Sequence, residues 1–169
     1  PELSGIQTWL ALPERDEERD PGFEHVAAAD LPVVEAGGAT ARVIMGELWG
    51  TAAPTTTYAG TIYADIALEP GGSIPIDAGA DERAVYVSIG EASLDGMQLA
   101  PMTLYVLRPG IAATLRSAQG ARVMLCGGEA FKTPRHVWWN FVSSSRDRIN
   151  QAKHDWTAGN FPKVPGDDK

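Results

Sequence analysis

Cysteine is almost missing from the chain: its 169 residues hold one, Cys126. A lone thiol excludes an intrachain disulfide and a thiolate metal cluster. Its place in the apolar run "ARVMLCGG" predicts a buried, inert side chain rather than a catalytic nucleophile. Histidine is scarce as well, with three, at His25, His136 and His154. Positive charge is in deficit, 14 Lys and Arg against 22 Asp and Glu, for a formal net charge of -8. That balance argues against a phosphate-reading surface, which needs clustered cations, and so against nucleic acid as a direct partner. No apolar run approaches the roughly 18 residues of a membrane-spanning helix, and no secretory leader pattern is visible. The expectation is a soluble cytoplasmic protein with no membrane partner.

What is present is a supply of apolar residues, 44%, punctuated by 18 Gly and 12 Pro, enough for one well-buried core. The segment "GIQTWLAL" at 5–12 has the β-branched and aromatic content of a strand, and the charged, Pro-bounded run "PERDEERDPG" at 13–22 reads as a solvated connection. From Phe23 the segments are short. In "IYADIAL" Ala64, Ile66 and Leu68 alternate with Tyr63, Asp65 and Ala67, and Gly, Pro or Asp-Gly marks nearly every break, which means an all-β sandwich or barrel. Asp95-Gly96 predicts a two-residue hairpin turn, both of whose central positions need positive φ.

The carboxy-terminal stretch "RHVWWNFVSSSRDRINQAKHDW" divides into a strand and a helix. Ser144 with Asp147 has the spacing of a capping box, worth ~1 kcal/mol. Ile149, Ala152 and Trp156 share one helical face, and Gly159 supplies the stop. Trp138 and Trp139, adjacent on a strand, are predicted to point to opposite faces, one entering the barrel wall. On that placement, truncating either ring costs ~3–5 kcal/mol. Together with Phe141, Ile149 and Trp156 they make a structural clasp, with an external binding surface as the alternative. His136 and His154 could pair on a metal with Glu129 or Asp155, but their bulky aromatic neighbours favour ordinary hydrogen-bonded histidines. His25 reads as a surface or interface residue.

The succession of a Pro-Gly-Gly loop, "ERAVYVSIGEASLDG", "LAPMTLYVLRPG" and "ARVMLCGG" resembles one cupin barrel, a double-stranded β-helix or jelly roll, here followed by an α-helix. In a catalytic cupin, inward-facing strand positions converge on one metal. The resemblance puts those positions at Pro75, Asp77, Glu82 and Ala113. Proline and alanine cannot ligate, and two oxygen donors are too few for a transition metal, so no catalytic residue and no metal is expected in this chain.

With "SGIQTWLALPE", "FEHVAAADLPVVE", "GGEAFKTPRHVWWNFVSSSRDRINQAKHDWTAGNFP" and "VPGDD", the whole chain resembles the second half of a pirin-family protein, a bicupin. The resemblance implies that residues 1–13 are a strand of a preceding, absent cupin barrel, 14–22 a linker, 23–140 a degenerate carboxy-terminal barrel, and 141–169 a closing helix and tail. It also implies iron, held by three His and a Glu, in the absent amino-terminal half. The parent activity would be quercetin 2,3-dioxygenase-like, with this half as a metal-free scaffold. The alternative is a redox-responsive protein-interaction or regulatory module without catalysis. The implied partners are the amino-terminal half or another copy of the chain, and a regulatory protein.

Overall fold

The computed structural model describes residues 5–162. The chain divides into a barrel unit, residues 20–130, and a second unit that joins the residues up to 19 with those from 131 onward.

The barrel unit carries β1 (Val33–Ala36), β2 (Ala39–Met45), β3 (Glu47–Leu48), β4 (Thr51–Ala52), β5 (Ile62–Leu68) and β6 (Ser73–Ile76). It continues with β7 (Glu82–Gly90), β8 (Ala92–Leu94), β9 (Met97–Leu99), β10 (Leu104–Val106), β11 (Ala113–Arg116) and β12 (Ala121–Gly128). One antiparallel sheet runs β1-β2-β5-β12-β7-β10, a second β6-β11-β8-β9, and β3 with β4 forms a separate hairpin. This is the all-β cupin arrangement expected from the sequence. Period-two alternation decides what lies inside: in β5, Ala64, Ile66 and Leu68 are buried, as their spacing predicts. Residues of both sheets meet in one core. Ala41, Ile66, Val85, Val87, Val123 and Leu125 come from the larger sheet, and Ile74, Ile76, Ala92, Leu99 and Leu115 from the smaller. Each fully buried Val, Leu or Ile contributes roughly 1.5–3 kcal/mol.

Turn chemistry sets the register. Leu94 lies opposite Met97, and between them Asp95 and Gly96 have φ of 49° and 87°, the left-handed pair that the Asp-Gly dipeptide predicts. The same geometry recurs at Trp49-Gly50, where φ is 52° and 73° between Leu48 and Thr51. There the first position is held by a bulky ring that ordinarily avoids it.

Among the buried polar side chains of the described barrel residues, Thr61, Arg83 and Ser117, the largest is an arginine. Arg83, on the inward-facing row of β7 with Val85 and Val87, is 2% exposed. Its Nη1 donates to the carbonyl of Asp77 at 2.6 Å, and its Nη2 to those of Arg108 and Ile111 at 2.7 and 2.9 Å. A guanidinium out of water needs hydrogen-bond partners, and charge-assisted bonds to carbonyl dipoles supply them to both Nη groups here in place of a carboxylate, while the buried Nε has none. The side chain thereby ties the loop after β6 to the loop after β10.

In the second unit β13 (His136–Trp138) pairs with β14 (Phe141–Ser143), and α1 (Arg146–Ala158) follows. Because β13 and β14 pair with each other and join neither barrel sheet, the barrel's last strand is β12 and not a strand near 140. The helix cap is Ser145, whose Oγ accepts from the Arg148 N–H at 3.3 Å. The expected Ser144–Asp147 box does not form: the cap lies one residue later, and the Ser144 N–H and O–H both donate to Glu17. Gly159 closes the helix at φ 70°, and Ile149 and Ala152 are its buried face, as expected.

The acidic run is a second correction. Thr133 Oγ1 donates to Glu14, Arg148 Nε donates to Glu18 at 2.7 Å, and Glu17 gathers Ser143, Ser144 and Arg135. Mixed charge made this run look like a solvated connection, whereas the carboxylates of Glu14, Glu17 and Glu18 are matched to donors between Thr133 and Arg148. The segment at 5–12 forms no strand with the described residues, and Ile6, Trp9 and Leu10 stay exposed. The first four residues of the expected 1–13 segment and the tail from 163 lie outside the described residues.

Replacing Arg83 by Met leaves three carbonyls of the barrel without their donor, at ~1 kcal/mol each. Urea unfolding of Arg83→Met is expected to show a loss of roughly 2–4 kcal/mol. Stability within about 0.5 kcal/mol of the parent would mean that the carbonyls find other partners.

Candidate functional site

The cupin positions come first. Ile74 and Ile76 are each 1% exposed, while Pro75 and Asp77 are exposed. The parity of β6 therefore turns the expected pair away from the interior, and two isoleucines fill the inward places. Ala113, opposite Ile76, packs against the core, and Glu82 opens β7 exposed, with Arg83 taking the inward place beside it. These residues do not fit a metal: two have no donor atom, the other two are exposed, and among the described residues no three His, Cys, Asp or Glu converge. What the interior uses of Asp77 is its backbone carbonyl.

Beside Asp77 the barrel unit holds a cleft of about 490 Å³ whose lining includes Glu47, Trp49, Thr57, Thr61, Ile62 and Asp77. The β3–β4 hairpin forms one wall. Leu48 and Trp49 pack against the core, and the Trp49 Nε1–H donates to the Pro75 carbonyl at 2.7 Å. The hairpin reaches this position through Gly46, at φ 74°, where a Cβ would stand 2.0 Å from the Thr61 carbonyl oxygen; only glycine allows that approach. Sequence reasoning missed both Arg83 and Trp49. The Trp-Gly pair between two short apolar segments was the available signal for the hairpin.

The histidines stay apart from any such centre. His25 and His154 are exposed and His136 is half-buried, and none belongs to a converging donor group among the described residues.

Residues 63–162 match the Pirin C-terminal cupin domain. The chain belongs to the pirin family. A Pirin-like protein of Caulobacter vibrioides is 42% identical over 164 residues, which are 96% of this chain and 56% of that protein. A Pirin-like protein of Solanum lycopersicum is 27% identical, over 92% of this chain and 55% of that protein. The crystal structure of quercetin 2,3-dioxygenase from Acinetobacter baumannii superposes with a TM-score of 0.84 at 31% identity, over 94% of this chain and 54% of that one. The chain thus spans about half the length of the pirin relatives it matches.

In the pirin chain the aromatic stretch takes a form that adjacency on a strand did not suggest. Trp138 ends β13, but Trp139 sits in the two-residue turn before Phe141 at φ 51°. Both rings join one cluster instead of opposite faces. Trp139 meets Trp156 edge-on at 4.6 Å, Trp138 stacks on Phe141 at 5.9 Å, and Lys153 Nζ lies 5.2 Å from the Trp138 ring centre. Trp139 and Trp156 are 57% and 50% exposed. A ring half in water forfeits much of the burial on which a 3–5 kcal/mol truncation cost rests; edge contacts between rings contribute about 0.5–1.5 kcal/mol.

The strongest electrostatic arrangement of the second unit is Glu17. Arg135 Nε stands 2.8 Å from its carboxylate, with the two side chains 9% and 10% exposed. Burial alone would raise the Glu17 pKa. Hydrogen bonds from the Ser144 N–H and O–H and the Ser143 O–H, with the Arg135 charge, outweigh burial and hold it below its ordinary 4.5. The folded value lies under the unfolded one, so the stabilisation is complete above pH 4.5 and is lost as pH falls through the lowered value. Glu17→Gln leaves Arg135 without its counter-charge and is expected to cost roughly 3 kcal/mol at pH 7. Melting curves of the two proteins should converge as pH falls below 4.5. A gap that stays constant with pH would rule out the ion pair as its source.

Cys126 is half-buried rather than fully buried, and burial raises its pKa above the ordinary 9.0. Its thiolate fraction at pH 8 is correspondingly small. Alkylation by iodoacetamide is expected to run about tenfold slower in the native protein than in urea. Equal rates would show an accessible, ordinary thiol.

Proposed function

We propose that this chain is the metal-free scaffold half of a bicupin whose quercetin 2,3-dioxygenase-like chemistry, with its iron, resides in a preceding barrel. The observation that carries the reading is the combination of a cupin fold with cupin positions that offer no usable donors. Pro75 and Ala113 lack ligand atoms, and Ile74 and Ile76 occupy the inward places of β6. The match to about half of each relative supports it, as does the name of the superposing Acinetobacter baumannii enzyme. In this reading the exposed Ile6, Trp9 and Leu10 pack on the preceding barrel, since a group of exposed large apolar side chains ordinarily marks an interaction surface. A cytoplasmic setting goes with it, on the lone thiol and the acidic charge.

A second reading, a regulatory interaction module, is favoured by one feature: the half-exposed rings of Trp139 and Trp156. Aromatic side chains of this size are common anchors at protein interfaces.

The two are separated by preparing the longer polypeptide that carries this chain as its carboxy-terminal part, loading it fully with iron, and following oxygen uptake with quercetin. Turnover, with iron in the longer polypeptide and none retained by this chain alone, is the expected result. No turnover at full iron occupancy would overturn the enzyme reading and favour the interaction module.

A further inference from the structure

A scaffold role leaves the cleft beside Asp77 without a purpose. We propose that this cleft binds a small organic cation, an alkylammonium group held at the indole of Trp49 between Glu47 and Asp77. Its volume, about 490 Å³, is in the range of small-molecule sites. Its lining contains two carboxylate residues and no Lys, Arg or His, so charge complementarity selects a cation, and an aromatic wall is the neutral surface that a diffuse alkylammonium charge prefers.

The walls are fixed before any ligand arrives. The Trp49 N–H is committed to the Pro75 carbonyl at 2.7 Å, which sets the position of a residue that both packs against the core and lines the cleft. From the interior, the 2%-exposed Arg83 holds the Asp77 carbonyl at 2.6 Å. Two donors on different elements thus pin residues 75–77. The other Nη of Arg83 is occupied by the Arg108 and Ile111 carbonyls, so the guanidinium is turned to backbone oxygens and is absent from the cleft lining. Trp49 also keeps a left-handed backbone, φ 52°, at a turn position that glycine or asparagine would take without strain.

Calorimetric titration of the protein with choline, and separately with its uncharged isostere 3,3-dimethylbutan-1-ol, tests the proposal. Saturable choline binding with a dissociation constant on the order of 1 mM is expected, about tenfold weaker for the isostere. The same loss is expected in the double variant Glu47→Gln, Asp77→Asn. Arg83 holds the Asp77 carbonyl and not its carboxylate, so this variant keeps the pinning bond, and an unchanged melting temperature verifies its fold. Three results would each overturn the proposal: no saturation by about 10 mM choline, equal affinity for the isostere, or undiminished binding in the folded double variant.

Discussion

A positive charge enclosed by a β barrel and answered only by backbone dipoles is the constraint on which the organised end of this molecule depends. Arg83 cannot leave its place without exposing three carbonyls, and the loops that supply them cannot drift without stranding the guanidinium. The cost of burying the charge and the cost of unsatisfied carbonyls offset each other only in one geometry. Loops after β6 and β10, which elsewhere would be the most variable parts of a barrel, are thereby fixed to one another. The wall of the cleft at Asp77 inherits that rigidity.

The same barrel fills a cupin interior largely with hydrocarbon. An interior that could hold a metal needs polar groups converging on a vacancy, whereas Ile74, Ile76, Leu115 and Val85 close the space with hydrocarbon. Each such side chain adds stability in place of reactivity. Of the barrel's carboxylates, Glu47, Asp77 and Glu82 are exposed.

Features encoded over a few residues could be read directly from the sequence. The alternation in β5, the Asp95-Gly96 turn, the Gly159 stop and the buried pair Ile149 and Ala152 all depend on neighbours within one turn or one strand. The parity of β6 was legible too, since "SIPID" places isoleucine at alternate positions; matching it to a ligand motif set that local pattern aside. Arg83 lies in phase with Val85 and Val87, a polar residue on an apolar row. The acidic run is different. Nothing within Glu14 to Asp20 indicates that Ser144 and Arg135 will meet it, because charge patterning records solubility and not distant partners. Trp139 combines both cases: the Trp-Asn pair before Phe141 has a turn-forming residue, but two bulky rings masked it.

The carboxylate of Glu17 and the Ser144 amide that donates to it are 127 residues apart in sequence. Loop-closure entropy grows only slowly with such a separation, but contacts of this range form slowly. The strands of the barrel lie wholly within the intervening chain and can pair from hairpins outward. Glu17 is therefore synthesised long before its partners exist, and remains a solvated carboxylate while the barrel assembles. Contact range alone would put completion of its shell after the barrel hairpins, and loss of the donors between Thr133 and Arg148 would leave Glu14, Glu17 and Glu18 without them.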